Sequence, residues 1–168
     1  MDNPTKNAHF DTPQGAFREA MSLIASPITV VTMRDQKNNP RGFTASSVTS
    51  LSLEPPLLLV GVSHTSSCFT VASGATDLMV NILGADQGDL AMRFAASGVD
   101  RFAGVRIEHW KDLGIPFLAD APVVIHCEVA DRATFGDHDL LIGRFLGMKI
   151  ESMKTPLVWY RRNFLPIG

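Results

Sequence analysis

Between Gly42 and Ser47 the chain reads Gly-Phe-Thr-Ala-Ser-Ser, which places hydroxyls at Thr44, Ser46 and Ser47 within four residues. Such hydroxyls, with backbone N–H groups not taken up by a ladder, can hold phosphate oxygens or the carbonyl edge of a heterocycle without net positive charge. The same residues suit a strand end whose Thr and Ser alternate toward solvent. A second cluster, Thr65-Ser66-Ser67, precedes a short helical pattern. Free N–H groups and the helix dipole favour phosphate there, and a hydroxyl at that point serves equally as a helix cap. Asn81 interrupts the apolar run Met79–Leu83, so its amide, if buried, either pins a neighbouring loop or faces a ligand. Gly136-Asp137 is a good hairpin turn, and His138 after it is either a solvated turn residue or an imidazole projecting into a cleft.

Other chemistries find no support. His9, His64, His109, His126 and His138 are scattered singly, and Cys68 and Cys127 lack CxxC spacing, so neither a metal site nor a disulfide framework is expected. No Ser/His/Asp or paired-carboxylate signature is present, and neither GxGxxG nor GxxxxGK[ST] occurs. Fifteen Lys and Arg against seventeen Asp and Glu give a formal charge of −2, which argues against nucleic acid or an anionic membrane as partner. No apolar run approaches the ~20 residues of a bilayer span, and the first residues lack a signal-peptide pattern. A cytoplasmic protein with reduced thiols is the expectation.

The elements that must position these residues follow from periodicity. Residues 1–13 read as a flexible arm, and 14–168 as a single domain. Phe17, Met21 and Ile24 fall on one face of a helix over Gln14–Ala25, closed by Pro27. Ile28–Met33 and Gly42–Ser50 read as a hairpin across an Asn, Pro and Gly turn. The double proline at 55–56 breaks the ladder before a buried strand at Leu57–Val62. A one- or two-turn helix ends at Gly74, another strand spans Asp77–Leu83, and Asp86 or Asp89 starts a helix carrying Leu90, Met92 and Phe94. A turn-rich segment precedes two long strands joined at the Gly136 turn, and the run Pro156–Phe164 ends the pattern. Trp110, Trp159 and Phe145 are assigned to core or interface, and Met92 to core. Strands without alternating crossover helices predict a mainly β, antiparallel sheet with short helices, closed into a barrel to dispose of its edges.

The blocks GFTASSVTSLSLEPPLLLVGV, TSS, MVNIL, DRFAGV, FGDHDLLIG and PLVWYRRNF occur in the order found in the flavin reductase-like family, and from about residue 15 to 164 the chain resembles it. The resemblance implies an FMN-binding antiparallel split β-barrel, usually a homodimer. It implies an NAD(P)H:flavin oxidoreductase that passes hydride from NADH (or NADPH) to FMN (or FAD). Both exchange as free flavin and nicotinamide, and reduced flavin diffuses to a separate flavin-dependent monooxygenase. A tightly bound FMN electron carrier and a non-catalytic flavin-binding protein are the alternatives. Carried across by position, Thr44, Ala45, Ser46 and Ser47 meet the flavin ring and phosphate region, with Ser66, Ser67 and Cys68 on the phosphate side. Asn81 and Phe102 match residues beside the ring, Gly136, Asp137 and His138 the nicotinamide loop, and Tyr160 a C-terminal tyrosine near the site. His64 and Cys68 depart from the family's usual residues, His64 where Lys or Arg is common, and Arg101 is the cation available to compensate.

Overall fold

A computed structural model describes residues 12–165 of the chain. The expected arm over 1–13 lies outside them except for Thr12 and Pro13, which already belong to a helix. Thr12 Oγ1 accepts the Gly15 N–H at 3.1 Å, and Pro13 occupies the first turn of α1 (Pro13–Ser22). The helix stops at Leu23, short of the expected Ala25, with the Leu23 N–H donating to Ala20 O. Among the described residues its apolar face is left exposed: Phe17 is 67% exposed, and Met21 and Ile24 are exposed as well.

Seven strands make the main sheet: β2 (Thr29–Arg34), β3 (Pro40–Ala45), β4 (Val48–Ser52), β5 (Leu57–Ser63), β6 (Asp77–Ile82), β9 (Val123–Phe135) and β10 (His138–Ile150). Their order is β3-β2-β6-β9-β10-β5-β4, with every neighbouring pair antiparallel. The consecutive strands β3 and β4 therefore sit on opposite edges, and the chain itself joins the edges at Ser46–Ser47. The segment read as one strand, Gly42–Ser50, is two, because a strand that closes a barrel must leave one neighbour and take up another. Ser47 O accepts the Gly61 N–H at 3.0 Å, continuing the β4–β5 pairing back to the point where the chain leaves β3, and Ser47 Oγ donates to Gly61 O at 3.3 Å. A Cβ on Gly61 would lie 2.7 Å from Ser47 Oγ, so glycine is what lets Ser47 lie close against β5.

The core divides by strand face. Val31, Met33, Phe43, Val60, Leu78 and Leu141 fill the barrel, whereas Val30, Met79, Phe94, Trp110, Phe117 and Leu118 pack outside it. β2 and β6 are thus buried on both faces, which explains why their sequences are continuous apolar runs rather than alternating ones. The outer layer comes partly from a hairpin, β7 (Ile107–Trp110) and β8 (Ile115–Leu118), inside the segment expected to be only turns. β1 (Ser26–Pro27), β11 (Val158–Tyr160) and β12 (Asn163–Leu165) form a separate three-stranded sheet.

α2 (Phe69–Gly74) and α3 (Gly88–Ala95) complete the fold. Gln87, not Asp86 or Asp89, precedes α3, and Asp89 lies in the first turn where it suits the helix dipole. Ala91 and Phe94 face inward from α3, which leaves Met92, one residue off that face, 55% exposed instead of core. Among the described residues no helix is long and apolar enough to cross a membrane.

Candidate functional site

Where β3 passes into β4, the sheet ladder is interrupted and Ser46 and Ser47 become exposed. A cleft of about 370 Å³ opens there. Thr44 to Ser47 form one wall, Thr65 to Ser67 a second, and Phe94, Ala95 and Ser97 a third, with Arg101 and His138 also on the lining. The two hydroxyl clusters, 20 positions apart at Ser46 and Ser66, thus face one space.

Each hydroxyl has a distinct position. Thr44 Oγ1 donates to Ala91 O at 2.6 Å, tying β3 to α3 at the wall of the cleft. Ser66 Oγ accepts the Cys68 N–H at 3.2 Å, and Ser66 O accepts the Phe69 N–H at 2.9 Å, so part of this cluster shapes the turn into α2. The capping reading is not met: Cys68 precedes α2 and no side chain caps the helix, so Ser66 braces the turn before it while the cluster lines the cleft. Ser67 is exposed and lines the cleft.

Arg101 donates through Nε and Nη2 to Ala96 O at the end of α3, and through Nη1 to Gly42 O at 2.9 Å and Cys68 Sγ at 3.2 Å. Its partners are carbonyls and a thiol; it pairs with no carboxylate among the described residues. A guanidinium held in this way keeps its full charge for an anion. Arg101 and Ser67 also border a second cavity of about 390 Å³, with Gly42, Cys68 and Phe102 on its wall.

His138 opens β10 opposite Ser63 and Phe135, and Gly136, at φ +58, makes the two-residue turn before it. The turn reading and the cleft reading both hold, because the hairpin tip delivers the imidazole to the end of the cleft. His138 Nδ1 meets Asp137 Oδ1 at 2.8 Å, and this bond is the main cause holding the Asp137 carboxyl below the usual carboxylate range.

Thr44, Ala45, Ser46, Ser47, Ser66, Ser67, Arg101 and His138 therefore converge. Cys68 does not reach the main cleft: it is 3% exposed, and its thiol donates to Gly42 O behind Arg101. Phe102 borders the second cavity and packs edge-on against Phe94, with ring centroids 5.0 Å apart. Gly136 and Asp137 form the tip without lining the cleft.

Asn81 is a correction. Its side chain is wholly buried, Nδ2 donates to Val30 O, Thr32 Oγ1 and Met79 O, and Oδ1 accepts the Leu118 N–H at 2.8 Å. It pins β8 to the barrel and has no free valence for a ligand. Tyr160 is also displaced from the lining. Its neighbour Trp159, on the alternate face of β11, reaches an apolar hollow of about 310 Å³ beside Thr44 and Ser46.

Phe94, Ala95 and Ser97 were missed. Only the approach to a helix end at Ser97-Gly98 marked them, and periodicity does not say what a helix terminus faces.

A sequence pattern described as a flavin reductase like domain matches residues 21–168. The NADH:riboflavin 5'-phosphate oxidoreductase of Streptomyces pristinaespiralis is 47% identical over 150 residues, covering 89% of this chain and 85% of that one. Among solved structures, nitrilotriacetate monooxygenase component B from Mycobacterium thermoresistibile superposes with a TM-score of 0.85 at 30% identity, over 92% of this chain and 87% of the other. The NADH:FAD oxidoreductase of Streptomyces globisporus C-1027, solved with NAD and FAD fragments, gives 0.87 at 26% identity, over 96% and 98% of the two chains.

Proposed function

The chain belongs to the flavin reductase like family, and we propose that the cleft at its barrel closure is where hydride passes from NADH or NADPH to FMN or FAD. It is an NAD(P)H-dependent flavin reductase. The observation that carries the placement is one lining that joins the exposed Ser46 and Ser67, an Arg101 guanidinium that pairs with no carboxylate among the described residues, and the His138 imidazole. That donor set fits a phosphorylated flavin: the cation and hydroxyls suit a phosphate, and the opened strand suits a ring edge.

The flavin and nicotinamide supply the hydride chemistry when bound, which is why the chain needs no nucleophile or acid–base pair. What the protein contributes is orientation. Ser46 presents its hydroxyl where negative charge grows during reduction, and Ser47, whose own hydroxyl donates to Gly61 O, fixes the wall beside it. Ser66, Ser67 and Arg101 hold the phosphate end. With Nδ1 bonded to Asp137, His138 keeps Nε2 for a ligand, and it positions the nicotinamide without supplying a proton to hydride transfer.

Reduced flavin leaves by diffusion to a separate oxygenase, a role supported by the likeness to a monooxygenase component. A homodimer in the cytoplasm completes the proposal. The support for the dimer is the apolar face of α1, which the described residues leave exposed.

Steady-state oxidation of NADH and of NADPH with riboflavin, FMN and FAD in turn tests the reading. Turnover dependent on added flavin is expected. A folded protein that binds flavin yet turns over none of these pairs would be the electron carrier or binding protein instead.

A further inference from the structure

The residue after His138 points the other way. The pleat that aims His138 at the cleft turns Asp139 inward, where its side chain is 13% exposed above the barrel residue Leu141. A carboxylate at that depth stays ionised only if donors surround it. Three do, each from a different element. His64 Nε2 lies 2.9 Å from Oδ1, Thr134 Oγ1 donates to the same oxygen at 2.8 Å, and Ser73 Oγ donates to Oδ2 at 3.2 Å. The His64 bond is the first cause holding the Asp139 carboxyl below its usual range.

His64 grips the hairpin tip a second time. Its backbone N–H donates to Asp137 O at 2.9 Å, and its ring rests on Phe69 with centroids 4.6 Å apart. The residues on both sides of His138 are thus tied to His64, and His64 is joined directly to Thr65, Ser66 and Ser67 on the facing wall of the cleft.

The ladders of β10 with β9 and β5 already hold the strand body, so the barrel does not need an ionised group at this end. Well-packed apolar residues serve stability as well as a buried ion pair does. What the network adds is a fixed spacing between two walls that separate loops would otherwise set loosely.

We propose that Asp139 and His64 are positioning residues for the nicotinamide end of the site, fixing where His138 stands relative to the Thr65–Ser67 wall. The inference rests on the reading of His138 given above. It assigns a role in the reaction to two side chains that do not touch the reacting atoms.

Full-length variants D139N, H64A, H64Q and H138A, and the double variant D139N/H138A, test it. The readouts are KM for NADH, kcat, FMN affinity by fluorescence quenching, and melting temperature. D139N and H64A should each raise KM for NADH about 5- to 20-fold, with kcat falling less than about threefold and FMN affinity holding within about twofold. H64Q should recover most of the loss, because the Gln amide N–H can replace the Nε2 donor. In the H138A background, D139N should add less than about twofold, the non-additivity of residues that act as one unit.

An unchanged KM in both D139N and H64A would overturn the inference, as would full additivity in the double variant. Equal losses of FMN and NADH binding with a lowered melting temperature would also overturn it, because the network would then be structural alone. His64 is partly exposed, so H64A and H64Q keep the test available if D139N does not fold. A normal KM in H138A overturns the reading beneath as well; a raised KM in H138A beside normal values in D139N and H64A overturns only this step.

Discussion

At the scale of single residues, His138→Ala separates nicotinamide from flavin recognition. It should lower kcat/KM for NADH about 10- to 100-fold while leaving FMN affinity nearly unchanged, since His138 stands at the β9–β10 tip and Arg101 is bonded to the end of α3 and to Gly42. Stopped-flow kinetics with a parallel FMN titration reads both, and an equal loss of flavin binding would move His138 to the flavin. Phosphate recognition makes a second claim. Hydrogen bonds to a charged group contribute about 1.5–3 kcal/mol each, so two of the donors on Ser66, Ser67 and Arg101 should favour FMN over riboflavin by about 100-fold or more. Equal affinities for the two would remove the phosphate from this end of the cleft. The hydroxyl clusters and the imidazole at a turn were legible because their chemistry shows in their type, whereas Arg101 came only through the family resemblance. Asn81 and Cys68 were not legible, because type does not disclose direction. An amide in an apolar strand meets either a ligand or the N–H of Leu118, and only the position of β8 decides.

At the scale of elements, the closure between β3 and β4 links fold to site. Gly61→Ala should show it, because the added Cβ would crowd Ser47 Oγ at 2.7 Å and Ser47 Cβ at 3.2 Å. We expect about 1–3 kcal/mol of destabilisation by denaturant titration, accompanied by weaker FMN binding although residue 61 carries no polar side chain. Intact affinity would show that Ser47 can shift without consequence for the ligand. Asn81→Ala should behave in the opposite way. It strands the Leu118 N–H and the Val30 carbonyl in the core, costing about 2–4 kcal/mol, yet the folded fraction should bind FMN normally. The long strands and α3 were readable from the sequence because each carries enough residues to display a period. β7 and β8 have four residues each and lie between turns, so no period could mark them. The break at Ser46 was hidden for another reason. A strand that changes neighbours keeps its alternation on either side, and the exchange of partners is a property of the whole sheet.

At the scale of the whole molecule, acid stability and assembly both follow from groups already located. Asp139 has a folded-state acidity stronger than its unfolded one, so its contribution is present above about pH 4 and is lost as pH falls through the lower folded value. Asp35 behaves alike: the Asn39 side chain is the first cause lowering it to about 2, which extends the acid limb to that pH. Melting temperatures between pH 6 and pH 2 should therefore converge for the native protein and Asp139→Asn as the pH drops; a constant gap would contradict the sign. Assembly turns on the apolar side chains that the single chain leaves in water. Phe17 and Met21 project from α1 at 67% and 46% exposure, and Ile24 follows at 53%. The spacing that marks them as one helix face normally marks a face bound for a core, and the described residues supply no core for it. A second copy is the cover we propose. Replacing both Phe17 and Met21 by Ser removes apolar area from water in a monomer, so monomer folding should be unharmed, with melting changed by no more than about 0.5 kcal/mol equivalent per site. In a dimer the same pair removes buried contact, of order 1–3 kcal/mol per side chain, and the dissociation constant should rise by at least about tenfold. Light scattering across micromolar concentrations reads the difference: a dimer mass for the native chain that falls toward the monomer in the double variant is expected. A dimer mass retained undiminished in the variant would place the interface elsewhere, and a monomeric native chain would end the proposal of a homodimer.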